Sequence, residues 1–146
     1  MKQTIIITGA TGKFGKVLVK NFLKKGDTVI AIGKSKKRLN QLKIYLEKKN
    51  QNLFLVCIDL TKNISIKNII NIIKKIGLYP NSLINNARNL EYSKLDKNGK
   101  PSTKNFLNEF KLGVVVPYEL TQALVTTFPR KFKNVLNLSS IYGSVA

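Results

Sequence analysis

The chain has 146 residues, with 26 Lys+Arg against 7 Asp+Glu, a formal net charge of +19, no His, no Trp and one Cys. This length holds one domain with its own core, and an apolar fraction of 43% argues against wholesale disorder. Without His there is no His-based triad and no His metal ligand, and a single Cys excludes an intrachain disulfide or a Cys-cluster zinc site.

A balance this basic raises the question of a nucleic-acid or acidic-membrane partner. The cations are nearly all Lys, however; Arg38, Arg88 and Arg130 are the only Arg. Lys, Asn and Ile are abundant together, the signature that codon bias in an AT-rich genome leaves. The densest basic run is Lys34-Ser35-Lys36-Lys37-Arg38, and no longer block of like charge occurs. This pattern favours solvated Lys faces over a nucleic-acid surface. The apolar N-terminal stretch is too short for a signal-peptide core, and no apolar run approaches the ~20 residues of a membrane span. A cytoplasmic protein without membrane, nucleic-acid or metal partners is expected.

In chain order, Thr4–Thr8 is a β-branched run ended by Gly9, as in a strand buried on both faces. Residues 13–25 repeat apolar side chains at helical spacing and stop at Gly26. A strand is expected over 28–32, a helix over 36–49 and a strand over 53–58. Cys57, in that third strand, is expected in the core. Ile recurs through 64–76 as on one face of a helix closed by Gly77. A short strand at 82–85 precedes a polar loop over 86–103, which holds the turn signal Asp96-Lys97-Asn98-Gly99. A long helix is expected over 105–128, kinked or broken at Pro117, then a fifth strand over 134–138. Strands alternating with helices predict a doubly wound parallel α/β sheet with right-handed crossovers.

Between the first strand and first helix lies Thr8-Gly9-Ala10-Thr11-Gly12-Lys13-Phe14-Gly15, spaced G-x-x-G-x-x-G. Gly9 permits a tight turn, Gly12 lets the backbone approach a pyrophosphate, and Gly15 lets helix and strand pack closely. The helix N-terminus supplies unpaired N–H groups for phosphate, so the context reads as dinucleotide binding. A P-loop is excluded, because Gly12-Lys13 follows Gly9 too soon and precedes Phe14 instead of Ser or Thr. At the end of the second strand, Gly33-Lys34-Ser35-Lys36 has no acid. Lys34 and Lys13 are placed for a 2′-phosphate, which favours NADP(H), with NAD(H) the lesser choice.

With this turn, the chain resembles the short-chain dehydrogenase/reductase family. Three later motifs follow in the family's order. Asp59-Leu60-Thr61 resembles the adenine-contacting segment. Asn85-Asn86-Ala87-Arg88 resembles the family's Asn-Asn-Ala-Gly, with Arg in place of Gly. Asn137-Leu138-Ser139-Ser140 resembles its Asn-x-Ser-Ser, where the second Ser is catalytic. The resemblance implies a Rossmann-type sheet of order 3-2-1-4-5, forming an NAD(P)-binding domain over residues 1–146. It implies cofactor contacts at Gly9, Thr11, Gly12, Lys13, Phe14, Gly15, Lys34, Asp59, Leu60, Asn86 and Ala87, and a catalytic Ser140. It further implies hydride transfer to or from a small carbonyl or alcohol substrate. Residues 113–121 and 139–143 are similar to those of oxidoreductases from surface-glycan, flagellin-modification and nonulosonic acid loci, which implies a sugar derivative.

Two departures stand out. The family's general acid/base Tyr and its Lys partner would fall past Ala146, and Tyr142 is too close to Ser140 to replace that Tyr. Residues 1–146 are therefore expected to be the cofactor-binding portion, inactive alone and homo-oligomeric when complete. Lys111 matches a position where many members carry an Asn that holds a relay water. The alternatives are a nucleotide-binding module without chemistry and, less favoured, a basic nucleic-acid-binding protein.

Overall fold

A computed structural model describes residues 2–46, 51–100 and 102–138. Five strands, β1 (Thr4–Thr8), β2 (Thr28–Gly33), β3 (Leu53–Cys57), β4 (Ser82–Asn85) and β5 (Asn134–Asn137), form one parallel sheet. Its order is β3-β2-β1-β4-β5. The central strand β1 sets the register: Ile6 lies opposite Ile30 of β2 and Leu83 of β4.

Successive side chains of a strand point to opposite faces, so the all-apolar Ile5-Ile6-Ile7 serves two cores. Ile6 joins Ile30, Ile32, Val56 and Leu83 on one face. That face is covered by α3 (Ser65–Lys75) and α5 (Val116–Thr127), through Ile69, Ile73, Leu120 and Leu124. Ile5 and Ile7 join Val29, Ala31 and Ile84 on the other, under α1 (Lys13–Lys24) and α2 (Lys36–Tyr45) through Val19, Leu23 and Leu42. Ile and Asn are mediocre helix formers, at a cost below about 0.7 kcal/mol each. Burial of Ile69, Ile70 and Ile73 contributes roughly 1.5–3 kcal/mol each, so packing decides that this segment is a helix.

Three sequence expectations change. The helix expected over 105–128 begins earlier, as α4 (Thr103–Phe110), capped where Ser102 Oγ accepts from Asn105 N at 3.2 Å. Its irregularity is a π-helical turn over Lys111–Val115, upstream of Pro117, which sits in the first turn of α5. Pro117 has no N–H for the carbonyl of Gly113, and the wider turn absorbs that missing bond. The loop over 86–103 contains a 3₁₀ turn, Leu90–Ser93, ahead of the expected turn at Asp96, whose Oδ1 accepts from Asn98 N and Lys100 N. Finally, Cys57 is exposed, because β3 is an edge strand and Cys57 ends it. At the other edge, Val135 and Leu136 of β5 are exposed.

Candidate cofactor-binding site

Strand order reverses between β1 and β4, and the connections leaving these two strands diverge to opposite faces of the sheet. A crevice opens there, beyond the C-terminal strand ends, where such sheets place their ligands. It has a volume of about 560 Å³, within the usual range for a small-molecule site. The glycine turn forms its floor. Gly9 has φ +63°, and a Cβ there would come within 2.8 Å of Ala87 Cα. At Gly15 a Cβ would overlap the Gly9 carbonyl oxygen and approach the Ala10 backbone to 2.9 Å. Gly12 is different: it is exposed, and the bare backbone there caps α1 without any side-chain bond. The first N–H groups of α1, from Lys13, Phe14 and Gly15, thus face the crevice uncapped.

The end of β4 braces this turn. Asn86 Nδ2 donates to the carbonyls of Thr8 at 3.0 Å and Gly9 at 3.1 Å. In return, Thr8 Oγ1 accepts from the backbone N–H groups of Asn86 at 3.0 Å and Ala87 at 3.1 Å. Both donors of the Asn86 amide are committed to the loop, so its side chain acts as a brace.

On the β2 side, Ser35 caps α2 by accepting from Arg38 N at 3.3 Å. The cap places Arg38 in the first helical turn, beside Lys34 on the crevice wall. Lys34 Nζ lies 6.0 Å from the centre of the Tyr92 ring, which arrives from the 3₁₀ turn after β4. Beyond β3, Asp59 Oδ1 accepts from Thr61 N at 3.0 Å and Thr61 Oγ1 at 2.8 Å. Partial burial alone raises the Asp59 pKa; the Thr61 bonds, with Lys34 and Lys62 nearby, outweigh it and hold the carboxyl below its ordinary value.

The eleven cofactor positions expected from sequence therefore surround one crevice. Ser140 lies outside the described residues, as does Tyr142. Sequence reading did not single out Ser35, Arg38 or Tyr92, and named Thr61 only within Asp59-Leu60-Thr61; all four also line it. Arg38 follows Lys34 by one helical turn, a legible signal; Tyr92 lies 58 positions beyond Lys34, on a different strand's loop, and carries none. Arg88, standing where the family has Gly, pairs through Nε with Glu109 Oε1 at 3.2 Å and ties the end of β4 to α4. Lys111 turns away from the crevice and donates to Asn63 Oδ1 at 2.8 Å. Among the described residues, no helix is long and apolar enough to cross a membrane, and no group of three or more His, Cys, Asp or Glu side chains could hold a metal ion.

The chain is similar to known proteins. The chain is 29% identical over 143 residues to an NADPH-dependent pterin aldehyde reductase of Arabidopsis thaliana, covering 97% of this chain and 57% of that protein. It is 30% identical over 83 residues to the NADP-dependent 3-hydroxy acid dehydrogenase YdfG of Escherichia coli K12, covering 57% of this chain and 32% of that one. A short-chain dehydrogenase structure from Streptomyces avermitilis superposes with a TM-score of 0.82 at 24% identity, over 99% of this chain and 52% of that chain. This chain thus spans little more than half the length of the first of these relatives. Residues 3–146 match the sequence profile described as short chain dehydrogenase, and the chain belongs to that family.

Proposed function

We propose that this chain provides the cofactor-binding part of an NADP(H)-dependent oxidoreductase acting on a small carbonyl or alcohol. The observation that carries this reading is the basic β2 end of the crevice. Lys34 and Arg38 flank it, Lys13 stands across at the start of α1, and the strand end Gly33-Lys34-Ser35 has no carboxylate. An acid there would select the unphosphorylated ribose; cations favour its 2′-phosphate. The pterin aldehyde reductase is NADPH-dependent and the 3-hydroxy acid dehydrogenase NADP-dependent, which supports this choice, and NAD(H) remains the weaker ligand in this reading.

The residues present fit a dinucleotide. The glycine backbone and uncapped α1 N-terminus would hold the pyrophosphate, and Lys34 with Arg38 the 2′-phosphate. Asp59 and Leu60 would border the adenine, and Asn86 keeps the phosphate turn closed. When bound, the nicotinamide supplies or accepts the hydride. Ser140 would position the substrate oxygen by resemblance. No Tyr-x-x-x-Lys follows it within residues 1–146, so these residues alone should bind cofactor without turnover. A sugar derivative as substrate, a cytoplasmic location and homo-oligomerisation belong to the same reading. Exposed Phe106, Phe110, Val114 and Tyr118 along α4, the π-helical turn and α5 support the last.

Titrations with NADPH and NADH, on the parent chain and Lys34→Glu, test the proposal. The parent should bind NADPH more tightly, and the charge reversal should weaken NADPH about tenfold or more while sparing NADH. Equal affinity of the parent for both would overturn it. A parallel DNA titration with steeply salt-dependent binding would favour the nucleic-acid reading instead. Cofactor binding without turnover by the native, full-length gene product would favour a nucleotide-binding module.

A further inference from the structure

The Tyr92 ring belongs to the opposite half of the sheet from Lys34, yet the two meet across the crevice. The turn that carries it is tied to its neighbours. Tyr92 N donates to the Asn89 carbonyl at 2.9 Å, and Asn89 Oδ1 accepts from Glu91 N at 3.3 Å. The Glu91 carbonyl accepts from Asn105 Nδ2 of α4 at 3.4 Å, and the half-buried Tyr92 ring packs against the core beneath α3 and α5. Lys34, by contrast, is exposed on a flexible stem. Among the described residues, it is the one crevice cation whose charged group lies over an aromatic ring.

We propose that Tyr92 is a positioning residue for cofactor selectivity, its ring holding the Lys34 ammonium over the crevice where the 2′-phosphate would lie. This rests on the NADP(H) reading above. A free Lys side chain must give up rotamer freedom to grip a phosphate. An ammonium already parked on a fixed ring face has lost part of that freedom beforehand, and a cation over a ring can still donate to an anion on its open side. Ring and cation would thus act as one unit across the crevice, with selectivity drawn from both halves of the sheet.

The test is a double-mutant cycle of Tyr92→Leu and Lys34→Met on the full chain, reading dissociation constants for NADPH and NADH, with thermal unfolding alongside. Tyr92→Leu should lower the NADPH-over-NADH preference about threefold, the scale of one exposed cation–π contact, and Tyr92→Phe should restore it. In the Lys34→Met background, Tyr92→Leu should leave the preference unchanged. If Tyr92→Leu weakens both cofactors equally, or leaves the preference intact while Lys34→Met lowers it, the assignment of Tyr92 fails and the NADP(H) reading stands. If Lys34→Met itself leaves the preference unchanged, the NADP(H) reading of Lys34 fails, and the assignment with it. If Tyr92→Leu folds poorly, Tyr92→Met, which keeps apolar bulk without a ring, is read in its place with the same expected and overturning outcomes.

Discussion

The side-chain amide of Asn86 donates to the carbonyl of Gly9 at 3.1 Å, joining the end of β4 to the turn after β1. The same nitrogen also reaches the Thr8 carbonyl. Replacing Asn86 by Ala removes both bonds, and the Gly9 carbonyl then keeps the Gly12 N–H, at 3.0 Å. A loss of about 1–3 kcal/mol in urea unfolding is expected, with weaker cofactor binding. Asn86→Asp should fare no better, since a carboxylate cannot donate to the two oxygens.

Two glycines of the turn should respond differently to the same methyl group. Gly15→Ala drives its Cβ into the Gly9 carbonyl and the Ala10 backbone, with no flexible side chain to yield. It should destabilise the fold by about 1–3 kcal/mol. Gly12→Ala meets only the Gly9 oxygen, at 3.3 Å, and is otherwise exposed. Its unfolding midpoint should change little, while its cofactor affinity falls, because the methyl stands where phosphate must approach. Thermal melts paired with titrations would separate the two effects.

The Asp59 carboxyl is held below its ordinary pKa, chiefly by Thr61 against the opposing effect of burial. A depressed native pKa means that ionised Asp59 stabilises the fold above the unfolded value of about 4. That contribution should disappear as pH falls through the lower native pKa. Parent and Asp59→Asn should therefore differ in stability at pH 7 and converge below about pH 4. A constant difference across that range would show that the charge is not what matters.

Arg38 should contribute to 2′-phosphate selectivity although it is a helix residue. Arg38→Ala keeps the Ser35 cap, because the bonded group is the backbone N–H. Stability should stay within about 0.5 kcal/mol, as for an ordinary surface substitution. NADPH affinity should fall by roughly five- to tenfold, with NADH spared. An equal fall for both cofactors would place Arg38 outside the selectivity site.

Alternating strands and helices, with a β-branched central strand, made the doubly wound sheet legible from sequence. So was the glycine turn, because glycine spacing reports directly on close backbone packing, as at Gly9 and Gly15. The π-helical turn at Lys111–Val115 was not legible, since Pro117 signals only that a bond is missing and neighbouring packing decides where the chain absorbs it. The exposure of Cys57 was hidden for a similar reason: an apolar run looks the same in an edge strand as in a central one.

By itself, the sequence determined the class of fold, the tight glycine turn after the first strand and the positive charge near the second strand's end. These are local properties, set by residue type and spacing along a few neighbouring positions. Only the tertiary structure decided that the Asn86 amide serves the loop and that Tyr92 crosses over to meet Lys34. Such contacts depend on parallel strands laid side by side, and spacing along the chain carries no record of which loops that arrangement brings together.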